Sequence, residues 1–335
     1  MINSRHYIYL SFLNYILYYT KKDLSSSLCL ELIDIYCIIE NIKSNWYKKR
    51  NLYIKEIIDL IQNILQYDYE IIKIISYGSL ATGLDIIGSD IDLIIYYKDI
   101  KKLDGTLIEN LNEKLKNLSY DNLKIEFIGN ASVPIIKLKY NISNMLVYNY
   151  ELSWVNWVIY TINRYKFLDI EDFTNISIDI SCTREENYVA NINKMTEIIK
   201  NEINGNELLI KPVILYLKFY LKIFKMNSLY EGWLNSLAIV IMVINTLKTY
   251  IKENKKGYIT QYEIFYSFLK RFSNYNYDYE IDINGYNKPH IQYDDNNKRF
   301  MIMNPIDNTN ITKNSFKTEE IKESFAQLLK RIKNG

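Results

Sequence analysis

Asp90 and Asp92 stand either side of Ile91 and run into Leu93-Ile94-Ile95, a pattern that reads as a half-buried strand. A period of two turns both carboxylates to one face. Held about 4 Å apart, two such charges repel by roughly 1 to 4 kcal/mol depending on the effective dielectric, so the pair calls for a cation or a proton. Magnesium suits it: a hard ion that takes one or two carboxylates, keeps several waters and completes its shell on a triphosphate. Just upstream is Tyr77-Gly78-Ser79-Leu80-Ala81-Thr82-Gly83. Gly78 follows the apolar strand Ile71-Ile72-Lys73-Ile74-Ile75 and Ser79 opens a short helix, so backbone amides there can cradle phosphate. No Gly-Lys-Ser/Thr follows, which excludes the Walker A loop, and the spacing is not G-x-G-x-x-G. The chemistry indicated is metal-dependent phosphoryl transfer.

The elements that must position these groups alternate strand and helix from about Asn51 to Cys182, as in an α/β catalytic lobe. Two amphipathic helices lead into it, one with the face Leu32, Ile35, Tyr36, Ile39 and one with the face Tyr53, Ile57, Leu60, Ile61, Ile64. Arg184 to Phe272 is almost continuously helical in pattern, with Pro212 expected to open a helix over Val213 to Lys225. Tyr277 to Met303 alternates as strands do, with a hairpin-type turn at Asn284-Gly285, and Thr318 to Ile332 closes as a helix. A lobe boundary is expected near Ser181 to Thr183. The division is then a catalytic domain over 45–182 with an insert near 139–176, and a discontinuous helical domain from 1–44 and 183–335.

A chain of 335 residues with 48% hydrophobic content is long enough for two globular lobes. The longest apolar run, Leu237 to Ile244, falls far short of the roughly eighteen residues a membrane-spanning helix needs. The N-terminus, with Arg5 ahead of Tyr7 to Leu13, has neither a small-residue cleavage site nor the bias of a transit peptide. Cys29, Cys37 and Cys182 are scattered and odd in number, which fits a reducing compartment rather than a disulfide framework. Two histidines, His6 and His290, are too few for a conventional zinc site or for histidine-based nucleophilic catalysis, so carboxylates must carry the chemistry. A net charge of +2 with dispersed basic residues is a weak footprint for sequence-independent RNA binding.

Taken jointly, Gly78-Ser79, Thr82-Gly83 and Ser89-Asp90-Ile91-Asp92-Leu93 resemble the signature of the DNA-polymerase-beta-like nucleotidyltransferases. Val133-Pro134-Ile135-Ile136-Lys137 and Asp179-Ile180-Ser181 are similar to the paired strands of the poly(A) polymerase and terminal uridylyltransferase branch. The resemblance implies that Asp179 is a third metal ligand and the general base toward an RNA 3′-hydroxyl, which a two-metal scheme requires. Lys211 to Lys222 looks like the family helix whose lysines neutralise the β- and γ-phosphates, and Lys218 and Lys222, four apart, share a face. Tyr230 to Ala238 is similar to the loop whose serine touches phosphate. Ser236 matches that serine, while Leu237 replaces the base-stacking tyrosine and Trp233 a glycine. Asn304 to Phe316 resembles the nucleotide recognition motif, with Asn310 at the base-reading position. Asn304 and Asp307 exchange the usual residue types there.

The resemblance thus implies a polymerase-beta-like α/β lobe with a mixed sheet, joined to a mainly helical lobe of the PAP-associated type. It implies a template-independent enzyme that adds nucleotides to RNA 3′ ends with two Mg²⁺ ions, Mn²⁺ being a substitute. Uridylyl-specific relatives often carry a histidine near the Asn310 position, and none stands there, which points to ATP over UTP. A catalytically weak subunit of an RNA-processing complex is the alternative from another class. An intracellular setting, nuclear before cytoplasmic, and an RNA-binding or helicase partner are expected. The stretch Leu138 to Asp179 is longer than the hairpin the family implies, and Trp154, Trp157, Val158, Thr161, Ile162 and Tyr165 fall on one helical face, for packing on the catalytic lobe or for a partner.

Overall fold

The structure, a computed structural model, describes residues 50–86, 88–99, 106–118, 123–130, 133–141, 175–254, 259–277, 279–285, 287–289 and 298–334. The expected Leu32–Ile39 helix, the aromatic face Trp154–Tyr165, Cys29, Cys37 and both histidines lie outside them. The chain divides into two compact units, one running to Asn201 and the other from Glu202 onward. The expected boundary at Ser181–Thr183 coincides with the end of the last strand of the first unit; the division itself comes one helix later.

In the first unit, helix α1 (50–65) precedes β1 (Tyr69–Tyr77), the short α2 (Gly78–Thr82), β2 (Ile91–Asp99), α3 (Leu107–Lys116), β3 (Leu123–Ile128), β4 (Ile135–Asn141), β5 (Asn175–Thr183) and α4 (Glu186–Ile203). The five strands form one sheet in the order β1-β2-β5-β4-β3. It is mixed, since β2 and β5 are parallel and the other neighbours antiparallel. Alternation sorts its two faces. Ile91, Leu93 and Ile95 of β2, Ile136 and Leu138 of β4, and Ile176, Ile178 and Ile180 of β5 are buried on one side. Ile54, Ile57, Ile61 and Leu65 of α1 are buried too, a stripe shifted by part of a turn from the expected one, with Tyr53, Leu60 and Ile64 flanking it. A cavity of about 110 Å³ remains there, lined by Tyr53, Glu56, Ile57 and Leu60 against Leu123, Tyr140, Ile176 and Ile178. Helix α3 starts at a capping box in which Thr106 and Glu109 exchange hydrogen bonds.

The second unit packs α5 (Glu207–Ile223), α6 (Ser236–Glu253), α7 (Gln261–Phe272) and α8 (Thr318–Asn334) on one another, with a small sheet of β6 (Tyr279–Ile281), β7 (Asn287–Pro289) and β8 (Met301–Ile302) against α6. Helix α6 is buried without interruption from Ala238 to Leu247, so the run Leu237–Ile244 is a core helix. Among the described residues no helix is long and apolar enough to cross a membrane. The turn at Asn284-Gly285 links β6 to β7 as expected, and Gly285 has φ +74°. Among its described residues, the stretch from Tyr277 to Met303 holds three short strands.

Pro212 does not open its helix. Helix α5 begins at Glu207 and passes through the proline, ending at Ile223 rather than Lys225. Proline removes the donor that would reach the carbonyl four residues back. That carbonyl, on Leu208, instead accepts a hydrogen bond from the Gln261 side-chain amide at 2.9 Å, so the helix continues with its polar group satisfied.

Candidate active site

The sheet places the sequence-predicted carboxylates together. Asp92 and Asp179 are ladder partners in the parallel β2–β5 pairing, on strands about 4.8 Å apart. Tyr77 pairs with Asp92, Lys137 with Asp179, and Glu126 with Lys137. A single row, Tyr77, Asp92, Asp179, Lys137, Glu126, therefore crosses all five strands on the face opposite the apolar core. Asp90, two residues before Asp92, belongs to the same face and is half exposed.

Gly78 is what lets the glycine turn close on this row. Its φ is +66°, and a Cβ built on it would lie 2.5 Å from Asp92 Oδ2. Any side chain there would occupy the carboxylate's own space. Helix α2 then runs for five residues from Gly78, its Tyr77 N-cap offering no side-chain bond to the first turn. Thr82 Oγ1 donates back to the Gly78 and Ser79 carbonyls, both at 3.1 Å. The loop leading to Asp90 is fixed by a buried ion pair, Arg50 Nη1 to Asp85 Oδ2 at 2.8 Å, and by the Ile86 amide donating to Ser89 Oγ at 3.0 Å.

Lys137 was not singled out as a site residue, because a lone lysine on a strand reads as a solvated edge; its alternation against Asp179 was the available signal. Its Nζ lies 3.0 Å from both Asp179 oxygens and 3.8 Å from Asp90 Oδ2. Burial raises the Asp179 carboxyl above the usual range and the Asp90 charge adds to this, while Lys137 offsets only part. For Lys137 burial works to lower the ammonium, but Asp90 and Asp179 outweigh it and the net direction is upward. The Tyr77 phenol is pushed up to about 12, first by burial and then by the Asp92 charge.

Among the described residues, no three acidic, histidine or cysteine side chains converge tightly enough to enclose a metal ion. The donors still fit magnesium's habit of taking one or two carboxylates and completing its shell with water and phosphate. Asp90, Asp92 and Asp179 would hold such ions.

The remaining predicted residues lie in the second unit. Lys218 and Lys222 are on α5, with Lys218 buried. Ser236 is exposed at the first position of α6, behind the Asn235 cap that accepts from the Ala238 amide at 2.7 Å. Gly232, at φ +88°, has the Phe316 ring where a Cβ would stand. Trp233, at the family's glycine position, lies under Lys317 Nζ, 4.2 Å from the ring centroid, and its carbonyl accepts from Ser315 Oγ at 2.9 Å. Asn235 Nδ2 also donates to the Ile311 carbonyl, so the Ser236 loop and the Asn310 loop are braced together. Asn310 spends its carboxamide inside that loop. Its Oδ1 accepts from the Thr312 amide at 2.9 Å, Thr312 Oγ1 at 2.7 Å and the Ile302 amide at 3.3 Å, and its Nδ2 donates to the Phe300 carbonyl at 3.3 Å.

This architecture, with its row of carboxylates, is shared in part by known proteins of related sequence and of similar fold. A sequence profile for the mitochondrial-like poly(A) RNA polymerase central palm domain matches residues 31–158. The poly(A) RNA polymerase gld-4 of Caenorhabditis elegans is 28% identical over 181 residues, 53% of this chain and 17% of that protein. The inactive non-canonical poly(A) RNA polymerase protein Trf4-2 of Drosophila melanogaster is 26% identical over 181 residues, 54% of this chain and 35% of that protein. The chain thus spans about a sixth to a third of the length of these relatives. In structure, the polymerase core of TRAMP, an RNA surveillance complex, superposes with a TM-score of 0.65 at 23% identity, covering 96% of this chain and 91% of that one. The Cid1 poly(U) polymerase H336N mutant bound to MgATP gives 0.60 at 16% identity, covering 90% and 94%. The chain is thus similar in part of its sequence to poly(A) RNA polymerases, and in fold to the polymerase core of TRAMP and to the Cid1 poly(U) polymerase.

Proposed function

We propose that the protein is a template-independent RNA 3′-terminal nucleotidyltransferase that adds AMP from ATP. The observation that carries this is the in-register Asp92–Asp179 pair with Asp90 on the same face and Gly78 backing Asp92. Two magnesium ions there would supply Lewis-acid stabilisation of the triphosphate and ease ionisation of the attacking hydroxyl. Asp90 and Asp92 would hold the cations, and the Gly78-Ser79 turn would meet the triphosphate. Asp179, its carboxyl raised by burial and by Asp90, orients the 3′-hydroxyl and accepts its proton. The resemblance assigns Lys218, Lys222 and Ser236 to the phosphates. Asn310 acts on base selection by fixing the shape of its loop, since its own amide is engaged there. A nuclear setting and an RNA-binding or helicase partner belong to the same reading.

The name of Trf4-2 supports a second reading, a catalytically weak subunit. Extension of a labelled oligo(A) primer with each nucleoside triphosphate in turn separates them. ATP-dependent extension lost in both Asp90→Ala and Asp92→Ala, with melting temperatures retained, is the expected result. UTP-only extension reassigns the nucleotide, and no extension by wild type with any nucleotide supports the weak subunit.

A further inference from the structure

We propose that the Lys137 ammonium and a divalent cation compete for the same oxygens of Asp179 and Asp90, so that cation binding displaces Lys137. This rests on the carboxylates being cation ligands, as the proposed function holds. Lys137 Nζ sits 3.0 Å from both oxygens of Asp179, facing the carboxylate end-on, and 3.8 Å from Asp90 Oδ2. Only the contact to Oδ2 has hydrogen-bond geometry. Oδ1 is buried and, among the described residues, receives no hydrogen bond. The ammonium therefore balances charge without saturating the group. A magnesium–oxygen distance of about 2 Å would put the cation on the side of Asp179 that Nζ covers, and charges of the same sign would then face each other at close range.

Backbone and side chain have different freedoms here. The ladder pairing of Lys137 with Asp179 fixes the strand, whereas four methylenes let the ammonium swing clear. Lys137 thus balances part of the charge of Asp179 and Asp90, and lowers their affinity for a bare cation. A cation arriving with a triphosphate brings extra negative charge and overcomes the competition. Metal and nucleotide are then coupled at entry.

The probe is Mn²⁺ alone, titrated without nucleotide and followed by the electron paramagnetic resonance of the free ion, with thermal melting in parallel. Lys137→Met should bind Mn²⁺ about tenfold tighter or more, from loss of one positive charge a few ångströms away. It should also melt lower than wild type without Mn²⁺ and gain more on its addition. Lys137→Arg, which keeps the charge, should stay within about threefold of wild type. Unchanged or weaker binding by a folded Lys137→Met overturns the competition and leaves the proposed function standing. Failure of wild type and every Lys137 variant to bind Mn²⁺, with melting insensitive to it, overturns the cation-ligand reading and the competition together.

Discussion

Replacing Gly78 by alanine separates backbone strain from damage to the site, because Gly83 provides a matched control. Both glycines have left-handed φ values, +66° and +72°, where an L residue costs about 1 to 2 kcal/mol. At Gly83 nothing lies within 4 Å of an added Cβ, whereas at Gly78 the Cβ would meet Asp92 Oδ2 at 2.5 Å. Restoring an ordinary contact requires the carboxylate to retreat by about 1 Å, a displacement that typically costs about 100-fold in rate. Asp92 has little room sideways, since its ladder neighbours are Tyr77 and Asp179. Both variants should therefore melt about 2 to 8 °C lower. Single-turnover primer extension should fall about 100-fold in Gly78→Ala and remain near wild type in Gly83→Ala. Equal activities, within about threefold, would refute the claim that Gly78 is there to admit Asp92.

Two further outcomes follow from buried groups. Arg50 and Asp85 are 4% and 1% exposed and joined at 2.8 Å, so Arg50→Met should lose about 3 to 5 kcal/mol in urea unfolding by stranding a buried charge, and adding Asp85→Leu should restore most of it. Burial holds the Cys182 thiol at about 11 instead of 9, against the opposing pull of the Ile108 backbone and Arg184. With Cys29 and Cys37 replaced by serine, alkylation by iodoacetamide at pH 8 should be about 100-fold slower than for a free thiol. Because the folded value lies above the unfolded one, this group's contribution to stability is intact below about pH 9 and declines as pH rises toward 11; a melting temperature flat across that window in a Cys182-specific comparison with Cys182→Ser would contradict it.

The D-x-D pair and the glycine turn were legible because both are local: period two fixes a face, and a glycine between a strand and a helix marks a turn. The partnership of Asp92 with Asp179 was not, since parallel register joins residues 87 positions apart and only the family resemblance suggested it. Lys137 escaped for the same reason, its meaning being set by the residue across the ladder. Pro212 misled because the rescue of the Leu208 carbonyl comes from Gln261, in another helix. The resemblance marked Asn310 for base reading, but its sequence neighbours gave no sign that five polar contacts absorb its amide.

The ladder pairing of Asn141 with Asn175 has an evolutionary consequence. Asn141 and Asn175, with 33 residues of sequence between them, thus stand opposite each other at one end of the β4–β5 ladder. Closing such a span instead of a four-residue turn costs only about 2 kcal/mol by loop entropy, and the strands on either side keep their register regardless. The row of carboxylates is thereby insulated from whatever is carried at that junction. A change of length there leaves the register of Lys137 with Asp179 in place, which makes the β4–β5 connection a point where this scaffold can tolerate insertion without moving Asp179.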